Sequence, residues 1–263
     1  MLDGAINNIK MVLSTQKMMW KSNMIYRSQF IAWMLVFLLM NLISLITITI
    51  VYSMSKGIAG WDYYQMLLIS SLANTMTGIF LYIIWPPAVG QSMRNGEFDQ
   101  FIVKPYNPFI SIISNYGIIE GISMGIGGVL IFAYAAYMTH ISIITILLVL
   151  SVSLLGLSSL IMFLIMISLA SYVLFKGSGY ISSLINISDS ASRYPITIYG
   201  LPGMLLFTFV MPVGLASYYP AAFIFGKISI FAMMLLMLFE IATIVIYYKI
   251  CKWLITKYES GGG

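Results

Sequence analysis

Charged side chains are scarce in this chain of 263 residues, of which only 8% are Asp, Glu, Lys or Arg. Soluble domains carry about 25% charged residues. The mean hydropathy is +0.97, and 60% of the residues are hydrophobic. This composition excludes a soluble globular domain and predicts a membrane protein. The 13 basic residues outnumber the 8 acidic ones, which membrane topology explains without a nucleic-acid partner.

Cysteine and histidine are also nearly absent. Cys251 is the one cysteine and His140 the one histidine. A single cysteine excludes an internal disulfide and a multi-cysteine metal cluster. A single histidine leaves little for a proton relay. We therefore expect no metal and no cofactor on this chain.

The chain contains several long runs of apolar residues. A bilayer core needs roughly 20 apolar residues per helix. Six segments reach or approach that length, at residues 30–51, 64–85, 112–137, 141–174, 201–218 and 228–250. The fourth segment would make a helix of about 50 Å, which is long for one span but leaves no room for two spans and a turn.

The distribution of basic residues decides the number of spans. Six spans with a cytoplasmic N-terminus place 11 of the 13 basic residues inside, and only Lys56 and Lys227 outside. The eleven are Lys10, Lys17, Lys21, Arg27, Arg94, Lys104, Lys176, Arg193, Lys249, Lys252 and Lys257. Dividing residues 141–174 into two spans would leave only 7 of 13 inside. The positive-inside rule therefore predicts an all-α membrane protein with six transmembrane helices and both termini cytoplasmic.

We interpret residues 1–263 as a single transmembrane domain, since no internal repeat or soluble domain is visible. Residues 1–27 mix apolar side chains with lysines, which predicts an interfacial helix on the inner membrane surface. Residues 90–108 and 175–200 are expected to be cytoplasmic. The run YYPAAFIF is too short to cross the bilayer and is predicted to dip into the outer leaflet, packed against protein.

Two motifs suggest enzymatic sites and fail on inspection. GISMG at 121–125 fits G-x-S-x-G, but a serine nucleophile needs a nearby base, and His140 lies at the opposite end of the same segment. FGKIS at 225–229 lacks the earlier glycine and the final Ser or Thr of a phosphate-binding loop. We therefore predict no enzymatic activity and no nucleotide site. Gly117, Gly121 and Gly125 recur every four residues and predict close helix packing.

Two carboxylates fall within predicted spans, Glu120 in the third and Glu240 in the sixth. Ionisable groups inside a membrane usually face a bundle interior, a cavity or a partner. Each is a candidate for the lining of a translocation path, and each could equally form an interhelical hydrogen bond. The sequence leaves both interpretations open.

Three stretches together resemble the permeases of type-2 ABC exporters. The first is MIYRSQF, with Tyr26 and Arg27, at the start of the first span. The second is NGEFDQFIVKPYNPF, whose glycine, aspartate, lysine, prolines and asparagine are similar in spacing to the loop of that family. The third combines YPITIYG with VMPVGLASYYPAAF. The resemblance extends over nearly the whole chain.

The resemblance implies that residues 90–108 contain a coupling helix that docks on a separate ATPase. The residues assigned to this coupling are Gly96, Glu97, Phe98, Asp99, Phe101, Lys104 and Pro105. Phe98 and Phe101 would share one apolar face and insert into a groove of the partner. ATP and Mg²⁺ would bind to two copies of that ATPase, and a second permease, identical or paralogous, would complete an exporter in a prokaryotic plasma membrane.

Two other classes of protein compete with this interpretation. A secondary transporter should show repeated halves with broken helices near the midplane, and no repeat is visible. A membrane assembly subunit without transport would need neither the coupling loop nor the buried carboxylates. An ordinary solvated connector is the alternative for residues 90–108.

Overall fold

The computed structural model describes residues 2–54, 57–104, 106–175 and 179–259, and nearly every ordered element in these ranges is helical. This confirms the all-helical prediction. The α-helices are α1 (Leu2–Ile25), α2 (Arg27–Met54), α3 (Tyr63–Ile83), α4 (Pro86–Arg94), α5 (Asp99–Ile102), α6 (Pro108–Asn115), α7 (Gly121–Met138), α8 (Ile143–Phe175), α9 (Gly179–Ser192), α10 (Gly200–Leu205), α11 (Tyr218–Ile224) and α12 (Ile230–Thr256).

Five helical stretches of the described chain are long and apolar enough to cross a membrane. They are Arg27–Met54, Tyr63–Arg94, Gly121–Met138, Ile143–Val173 and Ile230–Thr256. The long fourth run forms the single helix α8, which is continuous over 33 residues. The chain is therefore a polytopic helical membrane protein.

The segment 201–218 does not form the continuous helix that its apolar run suggests. α10 passes into a π-helical turn at Leu206–Val210, and Met211 then adopts an extended backbone. Pro212 follows, and its ring removes an amide donor that a continuing helix would need. The segment 112–137 is also divided, because residues 116–120 separate α6 from α7.

An aromatic cluster around Trp61 marks one end of the bundle, which we call the Trp61 end. The ring of Trp61 lies 5.8 Å from that of Tyr218 and 6.1 Å from that of Phe225. Lys227 donates a hydrogen bond to the carbonyl of Gly60 at 2.7 Å. These contacts hold the end of α11 and the start of α12 against the loop before α3.

A second aromatic cluster marks the opposite end, which we call the Phe98 end. The ring of Phe98 lies 5.0 Å from that of Tyr258, after the end of α12. The amide of Asn107 donates to Asn8 Oδ1 at 3.3 Å, which places α1 at this same end. The described residues nearest the two termini thus lie at the Phe98 end of the bundle.

α3 and α7 approach one another closely because glycines line their contact. A Cβ atom at Gly78 would overlap the backbone nitrogen of Gly125, and one at Gly128 would lie 2.5 Å from the nitrogen of Thr75. Gly121 also faces α3, whereas Gly117 lies before α7 and packs on the carbonyl of Tyr82. Small residues let backbones touch and so maximise van der Waals contact inside a bilayer.

Buried polar side chains attach α2 to this pair of helices. Asn74 donates to Asn41 Oδ1 at 2.9 Å, and Asn41 donates to the carbonyl of Met124 at 3.1 Å. The hydroxyls of Ser44 and Ser70 lie 2.8 Å apart. Most of α2 is nevertheless exposed, since only Phe30, Asn41 and Ile48 are buried.

Residues 175–200 were expected to be a cytoplasmic segment, and the structure places the end of α9 against the bundle. Leu215 packs on Gly156 of α8, which lies about 20 Å from the start of that helix at 1.5 Å per residue. The hydroxyl of Ser217 donates to the carbonyl of Ser192 at 2.6 Å. The end of α9 therefore reaches the middle of the bundle, because small and apolar residues on this helix bury against α3 and α8.

The stretch from Gly179 to Lys227 thus runs from the Phe98 end towards the Trp61 end in short pieces. The buried α11 belongs to this stretch, and its residues Tyr218–Ile224 include the Tyr-Tyr-Pro-Ala-Ala-Phe portion of the run that was expected to dip into the membrane. α11 packs on α3, α8 and α12. A short segment that does not cross the bilayer is tolerated inside a membrane protein when it is packed against protein.

The glycine contact generates a paired prediction. Gly78→Ala should lower the stability of the protein by about 1–3 kcal/mol, because its methyl group would overlap backbone that cannot rotate away. Gly125→Ala should be tolerated, since its nearest neighbour would lie at 3.8 Å. Thermal unfolding of both variants in detergent measures the difference. Equal midpoints for the two variants would contradict the packing described here.

Candidate functional site

A cavity of about 300 Å³ lies inside the bundle among α2, α3, α7, α8 and α9, and we call it the central cavity. Its walls are largely apolar and aromatic. They include Phe37, Met40, Met76, Phe80, Leu81, Trp85, Met124, Leu160 and Leu164. A small number of polar groups in an apolar cavity is typical of a ligand site.

An ion pair at the end of α9 supplies the charge in the central cavity. Arg193 donates to both carboxylate oxygens of Asp189, with its terminal nitrogen 2.9 and 3.1 Å from them. Thr77 of α3 donates to Asp189 Oδ1 at 2.9 Å. Both side chains are partly buried, with 17% of Arg193 and 29% of Asp189 exposed. The pair is neutral overall, which lowers the cost of placing two charges at this depth.

Glu120 lies immediately before α7 and lines a second cavity of about 350 Å³. We call this the elbow cavity, because it lies where α1 turns into α2. Its other lining residues are Ser22, Asn23, Tyr26, Gln29, Phe30, Trp33, Phe37 and Ile118. Phe37 and Ile118 also line the central cavity. The two cavities are therefore neighbours across these two side chains.

A third cavity, of about 280 Å³, continues this series along α2. Met40 and Arg193 line both it and the central cavity, and Ser44, Thr47 and Tyr194 add polar groups. The three cavities follow the chain from Tyr26, just before α2, to Thr47 within it. Arg193 is thus placed between two cavities in the middle of the bundle.

Glu240 lines none of these three cavities. Its side chain is buried in α12, with 2% exposed. Thr243 lies 3.4 Å from Glu240 Oε2, and Ser159 of α8 lies 3.0 Å from Thr243. This chain of hydrogen bonds joins α12 to α8, which favours the packing interpretation of Glu240 over a place in a translocation path.

The structure places the predicted coupling residues in a compact cluster at the Phe98 end. Gly96 has a φ of +73°, a conformation that favours glycine and turns the chain from α4 towards α5. Glu97 and Lys104 are exposed, and Asp99 is partly buried. Pro105 lies outside the described residues.

Phe98 and Phe101, which were expected to insert into a partner, are buried within the chain itself. They are 0% and 1% exposed, because Phe98 packs on Tyr258 and Phe101 on Tyr116. Burial raises the pKa of that Tyr116 hydroxyl, and a hydrogen bond with Ser92 opposes the rise. The apolar face of α5 therefore covers the chain's own bundle.

The outer surface of the same cluster carries two exposed apolar side chains. Val103 is 80% exposed and Ile102 is 45% exposed. Exposed Glu97, Gln100 and Lys104 surround them. An apolar centre with a polar rim is typical of a protein interface.

Sequence reasoning missed the ion pair in the central cavity. Asp189 and Arg193 are four residues apart, the spacing that brings opposite charges together on a helix. That spacing was visible in the sequence, but the segment was assigned to a cytoplasmic connector. Among the described residues no group of three His, Cys, Asp or Glu side chains could hold a metal ion.

The fold and the cavity define a polytopic membrane protein with a partly polar internal cavity. Residues 38–262 match the family model described as ABC-2 family transporter protein, and the chain belongs to that family. This confirms the resemblance to type-2 ABC permeases. The comparisons with curated proteins and with solved structures gave no match.

The ion pair leads to a prediction about the cost of leaving one of its two charges without the other. Asp189→Asn leaves Arg193 uncompensated and should destabilise the protein by about 1–3 kcal/mol, less than for a fully buried pair because both side chains are partly exposed. The double variant Asp189→Asn with Arg193→Gln should recover part of this loss. Thermal unfolding of Asp189→Asn, of Arg193→Gln and of the double variant measures the coupling energy between the two side chains. A double variant whose loss equals the sum of the single losses would argue against it.

Proposed function

We propose that this chain is the membrane subunit of an ATP-driven exporter. ABC-2 family membrane proteins generally work with ATPase subunits, and this chain carries no nucleotide-binding motif. Two copies of a separate ATPase would bind ATP and Mg²⁺, and a second permease, identical or paralogous, would complete the path. Residues 1–263 would form one permease domain in the plasma membrane of a prokaryote.

The distribution of charge supports a cytoplasmic Phe98 end. Basic side chains are concentrated there, and cytoplasmic ends of membrane helices carry an excess of Lys and Arg. They are Lys10, Lys17, Lys21, Arg27, Arg94, Lys104, Lys249, Lys252 and Lys257. With α1 on the inner surface and the stretch 179–227 counted as one crossing, the chain would cross the membrane six times. Both termini would be cytoplasmic.

The observation that carries the proposal is the way the cluster at the Phe98 end is joined to the bundle. Met93, Phe98 and Phe101 are fully buried, so α4 and α5 are packed firmly onto the rest of the chain. α4 follows α3 after only two residues and packs on α8. A force applied to the surface of this cluster would be passed to α3 and α8 as a rigid-body movement. Ile102 and Val103 would form the docking surface for the ATPase.

The cavities along α2 would form the path of the cargo. The central cavity has apolar walls and a single charged pair, which suits an amphipathic molecule. α2 is largely exposed, and a second permease placed against it would enclose the cavities between two subunits. ATP-driven movement of α3 and α8 would then change the walls of the central cavity.

The docking surface is tested by Ile102→Asp combined with Val103→Asp. We expect at least a tenfold loss of ATPase co-purification, because an apolar centre is the part of an interface most sensitive to a buried charge. The permease should still fold, since both side chains are exposed. The matched control is Phe98→Ala, which should destabilise the permease itself by about 3–5 kcal/mol. Full retention of ATPase and transport by the double variant would contradict the coupling role and leave an ordinary connector.

A separate experiment tests topology. Cysteines placed at Ser142, near the Trp61 end, and at Asn95, near the Phe98 end, occupy exposed positions. An impermeant thiol reagent should label Ser142→Cys in intact cells and Asn95→Cys only after permeabilisation. The native Cys251 is buried and gives little background. The reverse pattern would invert the proposed orientation.

Purification of the native complex separates the proposed function from its competitors. A stoichiometric ATPase would support the exporter. Transport by the purified chain alone would indicate a secondary transporter. If no ATPase co-purifies and the purified chain does not transport, the interpretation as an assembly subunit remains.

A further inference from the structure

The elbow cavity combines one carboxylate with four aromatic side chains. Tyr26, Phe30, Trp33 and Phe37 follow one another at intervals of three or four residues, so they lie along one side of the start of α2. Glu120 faces the same cavity from the start of α7. One carboxyl group and four aromatic rings thus line the same cavity.

Ring contacts are found for three of these four aromatic side chains. Phe30 is buried and packs edge-to-face on Trp20, with ring centroids 6.2 Å apart. Trp33 and Phe37 are paired at 6.5 Å. These three rings are therefore partly held in place before any ligand arrives, which reduces the entropy cost of binding.

Glu120 has no counter-ion in the described part of the chain. Its carboxylate makes none of the ion pairs or hydrogen bonds found among the described residues, and no Lys or Arg lines the elbow cavity. The amino end of α7 favours a negative charge at this position. A carboxyl group beside aromatic rings can therefore attract a cationic ligand, because no Lys or Arg of the described chain occupies the cavity.

We propose that the elbow cavity binds an organic ammonium group, the cationic head of an amphipathic molecule. Cations are attracted to the faces of Trp, Tyr and Phe rings, and aromatic cages recognise quaternary ammonium ions in this way. Glu120 adds a direct charge interaction. The cavity volume of about 350 Å³ accommodates a head group of this size.

The position of the cavity accounts for the apolar part of such a molecule. Phe37 and Ile118 line both the elbow cavity and the central cavity. An alkyl or aryl tail can therefore extend between them towards the apolar walls beyond. A role for this site at the start of a cargo path rests on the proposed transport function. Binding of an ammonium group does not depend on that function.

Two sources share this chemistry, a free amphipathic cation and the ammonium head of a membrane lipid. The test uses the purified full chain in nanodiscs of phosphatidylglycerol, which has no ammonium group, with dodecyltrimethylammonium as the probe. Dodecyl maltoside, which has a similar chain and an uncharged head, is the control ligand. If phosphatidylethanolamine competes with the probe, the lipid is a source of the ammonium group. If it does not compete, the free cation is the source.

We expect the probe to bind saturably and Glu120→Gln to weaken its binding about tenfold, as loss of one charge contact predicts. Trp33→Leu should weaken it about threefold or more. The matched control Glu259→Gln removes an exposed carboxylate elsewhere and should leave binding of the probe unchanged. Equal binding of the uncharged ligand, or unchanged binding in Glu120→Gln with normal folding, would overturn the proposal.

Transport is measured separately so that the two hypotheses fail in different ways. The probe should stimulate ATP hydrolysis by the reconstituted complex, and Glu120→Gln should raise the probe concentration needed for half-maximal stimulation. Failure of the chain to bind any ATPase would refute the proposed function and leave the binding result intact. Absence of probe binding in a complex that still hydrolyses ATP and transports would refute the ammonium site alone.

Discussion

The close contact between α3 and α7 is the interaction on which the rest of the bundle depends. Lipid tails are as apolar as leucine, so burial alone gives membrane helices little reason to associate. Backbone contact at Gly78 and Gly128 provides dense van der Waals packing instead. Asn41 then hydrogen-bonds to both helices and positions α2. The walls of the central cavity follow from this arrangement.

The buried ionisable groups show two ways of placing charge inside such a bundle. Glu240 is enclosed by α8 and α12 and shares hydrogen bonds with hydroxyl groups. Asp189 and Arg193 neutralise one another beside a cavity. The first arrangement holds two helices together. The second leaves polar groups accessible to a molecule within the bundle, and for that reason we place it on the proposed path.

The cluster at the Phe98 end shows that a local sequence pattern can predict an apolar helix face without identifying the surface that covers it. The resemblance implied a short helix with Phe98 and Phe101 on one apolar face, and α5 is one helical turn that follows Phe98. The apolar face covers the chain's own Tyr116 and Tyr258. A pattern identifies which face is buried, but the burying surface can belong to the same chain or to another.

Composition and hydropathy determined the class of this protein, because a chain so poor in charge can only bury its surface in a bilayer. The spacing of glycines along α7 was also readable, since small residues at every fourth position form a smooth helix face. Tertiary structure alone decided that α9 enters the bundle and that residues 201–218 are broken. It also brought Glu120 beside the rings of α2, about 90 residues away in sequence. Such contacts depend on how helices pack in three dimensions, and periodicity along one helix carries no information about its neighbour.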